Sequence, residues 1–491
     1  MSSTTGGRLS RARKPKESRR WLKARVPRAQ LYRLAPRPPR PKRFGTLEFT
    51  DRVRVLLRAW PAWLVLAVAL HQAGFWFYAL PAMAMSLLLY LAATPSHPAI
   101  YPLESTLDVD SSEFQNTMEG VTGMRFIAGN RLTIHNNGDE FYPAMLRAIE
   151  EATQSITVEQ YIYWPGDVGR RFAEALAVKA RDGVAVKLLL DAIGSATLGP
   201  EIFRILESGG CQVAWFHPIH WYTLDRANRR DHRKSLIVDG RVAFTGGAGI
   251  GDPWLGRAGG PAEWRDIQVE LAGPGALAQQ SGFAQNWLAT TGEILCGSRF
   301  FPEPHREGGV KVLTILSSPL TGASAVGTMY LTALQCARSE LFIANPYFIP
   351  DGRVVEVLAA ARARGVTVKL MLAGPYTDNW WARQNSLRRY GQLLEAGIEI
   401  FEFAPTFLHQ KTMVVDAAWA TVGTANLDNR SFALSEETNL CVHDRAVAGH
   451  LRDIFTADLE RCRRVELDAW RRRGVWQQAK EQCASLIENQ I

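Results

Sequence analysis

Two segments of the chain repeat the pattern His-x-Lys-x4-Asp, about 180 residues apart: His232, Lys234 and Asp239 in DHRKSLIVDG, and His409, Lys411 and Asp416 in LHQKTMVVD. Side chains two apart on a strand project from one face, so each pattern aims an imidazole and an ammonium into the same space. One such triple carries little weight, since it arises by chance in on the order of one chain in a hundred of this length. Two copies in matched surroundings predict a duplicated fold whose halves share one site. A pair of imidazoles flanking a phosphodiester suits double displacement: one attacks phosphorus, while the other protonates the leaving alkoxide and then deprotonates the incoming hydroxyl. Two lysines would stabilise charge on the equatorial phosphoryl oxygens. This chemistry requires no metal and no cofactor, and the sequence offers no ligand cluster. The six scattered cysteines, with no C-x-x-C pair, indicate neither a zinc site nor a disulfide framework.

The elements that must position these residues repeat as well. TQSITVEQYIYW reads as a strand, GRRFAEALAVKARDG as an amphipathic helix ended by Gly183, VAVKLLLD as a buried strand, LGPEIFRILESGG as a helix and CQVAWF as a strand. The same order returns as SELFIANPYFI, GRVVEVLAAARARG, VTVKLMLA, WWARQNSLRRYGQLLEAG and IEIFEF, ahead of the second H-x-K segment. Residues 181–190 (RDGVAVKLLL) align without a gap with residues 363–372 (ARGVTVKLML). The expected fold is α/β: two tandem α/β/α halves with pseudo-twofold symmetry, residues 124–300 and 301–491. The run CRRVELDAWRRRGVWQQAKEQ reads as a closing basic amphipathic helix packed on the body, with lipid contact as a secondary role.

Charge is distributed unevenly. Residues 1–58 hold 18 of the 57 Lys and Arg but only three acids, while the remainder carries 45 acids against 39 basic residues. The body is therefore mildly acidic, which argues against a nucleic-acid partner. The basic tail reads as disordered, either drawn to anionic headgroups or merely fixing topology. Residues 60–93 contain no fixed charge, and a span needs roughly 20 such residues, so 59–93 is expected to be membrane-embedded. His71–Gly74 and Pro81 leave two forms open: one tilted span with an interfacial extension, which would put the body outside, or a short hairpin, which would keep it inside. Residues 94–123 read as an acidic linker.

The two motifs and their surroundings resemble the phospholipase D superfamily, and within it the bacterial cardiolipin synthases of phospholipase D type. Behind the second motif, Gly423-Thr424-Ala425-Asn426 and LDNRSFALSEE are similar to the synthase run N-x-D-x-R-S-F-x-L-N-x-E, with Asn426, Arg430, Ser431 and Glu437 in place and Ser435 replacing an Asn. The first copy departs: Gly249 stands where the superfamily Asn often sits, which leaves one donor to phosphate in doubt. Glu159 in VEQYIY, Trp264-Arg265-Asp266, Asn345-Pro346-Tyr347-Phe348, and Phe283 with Trp287 extend the likeness over roughly residues 115–480.

The resemblance implies a catalytic set of His232, Lys234, Asp239, His409, Lys411 and Asp416. His232 would be the nucleophile and His409 the general acid/base, an order that pseudo-symmetry leaves open. Within that set the aspartates are expected to stabilise strand ends. Glu159 would hydrogen-bond a catalytic histidine or form a structural ion pair. Asn426, Ser431, Glu437, Arg265 and Arg430 would contact substrate or support the site from behind. Trp215, Phe216, Trp221, Tyr222, Trp380 and Trp381 gather near the motifs, with Trp380-Trp381 the better candidate for membrane contact. The activity implied is a phosphatidyltransferase at the bacterial inner membrane, making cardiolipin and glycerol from two phosphatidylglycerol molecules. Alternatives are a phospholipase D hydrolase, a transferase using another lipid or alcohol, and a catalytically silent membrane scaffold.

Overall fold

The structure, a computed structural model, describes residues 60–92, 103, 106–219, 228–320, 324–485 and 488. The basic tail expected at 1–58 and the aromatic residues Trp221 and Tyr222 lie outside these residues. In the first half the strands are β1 (Ile127–Asn136), β2 (Ser155–Gln160), β3 (Ala185–Asp191), β4 (Gln212–Phe216), β5 (Arg230–Asp231), β6 (Lys234–Val238), β7 (Val242–Gly246) and β8 (Ile267–Ala272). The second half supplies β9 (Val310–Ser317), β10 (Glu340–Asn345), β11 (Thr367–Ala373), β12 (Glu399–Phe403), β13 (Thr412–Val415), β14 (Trp419–Gly423), β15 (Ser435–His443) and β16 (Cys462–Arg464).

These strands form one sheet in the order β4-β3-β2-β6-β7-β8-β1-β9-β15-β14-β13-β10-β11-β12-β16, with β5 attached to β15. Apart from the added β16, the order is a palindrome about the antiparallel β1–β9 pair, so a pseudo-twofold runs through that junction. In each half three strands run parallel (β2-β3-β4 and β10-β11-β12), and an antiparallel ladder leads from them to the junction. β2 is buried at every position and β3 at all but its first, as expected for parallel strands covered on both faces. Helices Gly138–Glu151, Asp167–Arg181 and Pro200–Gly209 cover one face of the first half, and Ala276–Thr291 covers the other. Their counterparts in the second half are Ala325–Cys336, Gly352–Ala363 and Trp380–Glu395, with Arg445–Leu459 opposite. Asn130 holds the junction: its amide donates to Ile127 O (2.8 Å) and Val310 O (3.1 Å), and its carbonyl accepts from Gly275 N (2.7 Å).

One open choice is narrowed and two sequence expectations change. The uncharged stretch forms two helices, Trp60–Gln72 and Trp76–Ala92, which pack on each other and are separated at Gly74 (φ 82°). Of the two forms left open by the sequence, the stretch takes the two-helix hairpin shape rather than the tilted single span, and no helix among the described residues is long and apolar enough to cross a membrane. Part of the linker is folded: Ser111 caps the helix Ser112–Thr122, whose Phe114 and Met118 are buried in the second half's core. The C-terminal run is not one helix. Cys462–Arg464 pairs with Phe401–Phe403 as an edge strand, and Gly474 separates the short helix Leu467–Arg471 from Val475–Ala484.

The motif aspartates are also placed. Asp239 and Asp416 both adopt φ 53°, in the turn after β6 and β13. Asp239 accepts from the backbone of Thr153, Gln154 and Ser155 at 2.7–2.9 Å, and Asp416 accepts from Arg338, Ser339 and Glu340. Each carboxylate therefore pins the start of the neighbouring parallel strand, at the end away from the histidine, and its inclusion in the catalytic set is corrected on that ground. Asp416→Ala frees several backbone donors that water can partly reach, so a loss of about 1–2 kcal/mol is expected. Thermal unfolding should show a lower midpoint, while kcat of the folded protein stays unchanged.

Candidate active site

The two histidines do not sit on regular strand. Each lies in the extended approach to its strand and is docked onto the opposite half. β5 pairs with Ser435–Glu436 of β15, and His232 N donates to Glu436 O (2.9 Å). Symmetrically, Arg265 bridges to Leu408, and His409 N donates to Arg265 O (2.8 Å). The side chains follow the backbone across the interface. His232 Nδ1 meets Glu437 Oε2 at 3.0 Å, and His409 Nδ1 meets Asp266 Oδ2 at 2.8 Å. An Nδ1–H donated to a carboxylate leaves Nε2 as the lone-pair nitrogen in each ring. Glu437 is held in turn by the Thr424 hydroxyl, and Asp266 by Trp254 Nε1 and Ile267 N, both at 2.9 Å. Gly247 makes room for Asp266, since a Cβ there would stand 2.3 Å from its Oδ1.

Burial sets the protonation states. It depresses His232 to about 4 against the pull of Glu437, and His409 to about 3 with help from the Lys411 charge. Both imidazoles are therefore neutral at neutral pH. Burial works against ionisation of Asp266 and Glu437, but the histidine contacts and the lysine charges outweigh it and hold both carboxyls below their usual range. Burial and the Lys411 charge lower Lys234 to about 7, and burial lowers Lys411 to about 8. Lys234 Nζ donates to His232 O at 2.9 Å beside the Tyr161 ring, and Lys411 Nζ stands 3.2 Å from His409 Nε2.

Both histidines open onto one cavity of about 330 Å³, lined also by Tyr161, Arg230, Tyr347, Asp378, Asn426 and Arg430. The two sides are unequal. The His409 side chain is 4% exposed and boxed by Trp254, Trp264 and Phe407, with ring centroids 5.3–5.6 Å away, whereas that of His232 is 15% exposed beside Tyr161.

The remaining expected residues divide. Glu437, Asn426, Ser431 and Arg430 line the cavity; Asn426 N donates to Ser431 Oγ (3.0 Å), and Arg430 reaches Asn228 (3.0 Å). Arg265 is buried and ion-paired to Asp458 (2.7 Å), so its backbone rather than its guanidinium serves His409. Glu159 touches neither histidine: it accepts from Asn286 (2.8 Å) and shares a buried contact with Asp231. Gly249 packs against Ile162, and a Cβ there would meet it at 2.9 Å, so the first half has no room for a counterpart of Asn426. From sequence, Asp266 and Tyr347 stand within motifs without a role, while Tyr161 and Asp378 are not singled out. A signal for Asp266 was present, because a carboxylate follows each H-x-K by about 30 residues.

Residues 145–255 and 330–459 match the family described as "Cardiolipin synthase, PLD-like domain". In fold, the chain resembles the crystal structure of phosphatidylserine synthase from Haemophilus influenzae, with a TM-score of 0.59 at 13% identity, covering 77% of this chain and 100% of that one. The paired halves and the shared site define a phosphatidyltransferase-type enzyme of the phospholipase D superfamily. A cardiolipin synthase of Listeria innocua is 32% identical over 361 residues, 73% of this chain and 75% of that protein. Cardiolipin synthase A of Pseudomonas putida is 32% identical over 371 residues, 75% of this chain and 77% of that protein. The chain belongs to the cardiolipin synthase family.

Asp266→Asn and Glu437→Gln keep shape but remove the charge that orients each imidazole. Each should lower kcat by about 10²- to 10³-fold with KM little changed, in steady-state assays. Sulfate stays dianionic across the neutral range and probes the lysines. Their charge is complete below their folded pKa values and lost above them, so competitive inhibition by sulfate should weaken as pH rises from about 6 to about 9.

Proposed function

We propose that the protein moves a phosphatidyl group from one phosphatidylglycerol to a hydroxyl of another, giving cardiolipin and glycerol, with His232 as nucleophile and His409 as general acid/base. The observation that carries this reading is the pair of histidines, each oriented by a carboxylate of the opposite half and both facing one cavity. The greater exposure of His232 favours it as the attacking group.

In the first step His232 Nε2 forms a bond to phosphorus as the bond to the headgroup oxygen breaks. His409 gives a proton to that oxygen, and glycerol departs. His409 is neutral in the free protein because it is buried, with the Lys411 charge adding to the effect, so its proton is taken up together with the substrate, whose phosphodiester anion offsets that lysine charge. In the second step neutral His409 accepts a proton from the incoming hydroxyl, whose oxygen bonds to phosphorus while the bond to His232 breaks. Lys234 and Lys411 stabilise the phosphoryl charge, and the Asn426 amide supplies a further contact from the second half only. The two apolar helices within residues 60–92 hold the protein at the bacterial inner membrane. The openness of the cavity supports a second reading, in which water takes the place of the acceptor and phosphatidic acid results.

Purified protein in phosphatidylglycerol vesicles should yield cardiolipin and glycerol in equal amounts, and His232→Ala and His409→Ala should yield neither. Phosphatidic acid alone would favour the hydrolase. A phosphodiester with an activated aryl leaving group needs no general acid, so His409→Ala should release one equivalent of the aryl alcohol and stall. The same burst from His232→Ala would reverse the two roles.

A further inference from the structure

The loop that borders the cavity and the helix start that follows it carry partly exposed aromatic side chains. Asp378 and Asn379 line the cavity, while Tyr376 is 39% exposed and Trp380 and Trp381 are 43% and 45% exposed. The Asn379 side chain accepts from Ala382 N and caps the helix Trp380–Glu395, which fixes both indoles in its first turn. The C-terminal segment comes to the same end of that helix. Trp470 donates to Leu387 O (3.1 Å), and further along, before the chain passes Asn385 and Arg388, Gln477 donates to Gln384 (2.6 Å), about one turn from Trp380 and Trp381. There it presents Val475 and Trp476, 81% and 84% exposed. Arg472 and Lys480 on this segment are exposed too.

Elsewhere on the catalytic body, exposed large apolar residues such as Val121, Val178, Leu288 and Ile294 are dispersed among different elements. Exposed tryptophans on the helix beside the cavity and on the segment packed against it, with exposed cations on that segment, fit the depth profile of a lipid interface, where indoles sit at headgroup level and basic groups meet anionic phosphates.

We infer that Tyr376, Trp380, Trp381, Val475 and Trp476 form a docking surface for an anionic phospholipid bilayer, which seats the cavity mouth on the membrane so that a headgroup enters without its lipid leaving the leaflet. The inference rests on the lipid substrate proposed above. It assigns the C-terminal segment a role in substrate delivery, in addition to its packing on the helix Trp380–Glu395.

Membrane binding alone is a poor readout, because the apolar helices at 60–92 can hold the full chain on vesicles whatever the docking surface does. The discriminating comparison is catalysis by the full-length triple variant Trp380→Ser/Trp381→Ser/Trp476→Ser on two forms of one substrate. On phosphatidylglycerol vesicles kcat/KM should fall about tenfold or more, and on monomeric short-chain phosphatidylglycerol it should match the unaltered protein. Equal losses on both forms would mean that the surface is structural, and unchanged activity on both would mean that it serves another partner; either result overturns the inference. If the unaltered protein makes no product from either form, the proposed reaction fails, and brominated phosphatidylglycerol vesicles test the surface by themselves. Bromine should quench tryptophan emission more in the unaltered protein than in the triple variant, and equal quenching overturns the docking surface.

Discussion

Everything at this site depends on two histidines being held by the half of the molecule to which they do not belong. His232 is bound through its backbone to Glu436 and through its ring to Glu437, and His409 likewise to Arg265 and Asp266. Neither half alone contains an oriented imidazole. The requirement reaches back to the sheet, where β1 and β9 must pair for β8 and β15 to present those carboxylates, and the buried Asn130 ties that pair through its bond to Val310 O. It reaches forward to Gly246, Gly247 and Gly423, whose bare backbones let neighbouring chain approach more closely than any Cβ would allow. A catalytic pair divided this way couples assembly of the halves to competence of the site.

Burial is the second governing influence. It strips water from two imidazoles, two ammonium groups and two carboxylates packed into one place, and each group is shifted toward its neutral form unless an opposite charge intervenes. The carboxylates win their protons' release because imidazoles and lysines face them, while the lysines are left at about 7 and about 8. A site with easily lost positive charge suits an anion, and under the proposed reaction the phosphodiester would bring the countercharge that restores the lysines.

The pseudo-symmetry is broken where chemistry needs the two sides to differ. His409 sits in an aromatic box, His232 beside a single tyrosine, and only the second half has room for an asparagine at the cavity wall. Duplication supplies two equivalent imidazoles; their surroundings make one more accessible than the other.

The α/β order, the duplication and both His-Lys pairs were legible in the sequence, because strand and helix periodicity is local and a motif repeated at matched positions is self-checking. The apolar stretch and its interruption at His71–Gly74 were legible, but the choice between one span and two packed helices depended on a backbone conformation at Gly74 that hydropathy does not report. The C-terminal run likewise lost its helical reading at Cys462–Arg464, where an open sheet edge at β12 outweighed local propensity. What no local pattern carried was partnership. Glu159 and Asp266 are both acids near a motif, yet Glu159 faces Asn286 while Asp266 reaches His409. That choice is made by which strands lie side by side in the continuous sheet, a long-range fact of topology. The sequence by itself determined the two His-Lys pairs to which the chemistry is assigned in the proposed reaction; only the tertiary structure decided which half orients which imidazole, because hydrogen bonds between distant segments exist only once the sheet has joined them.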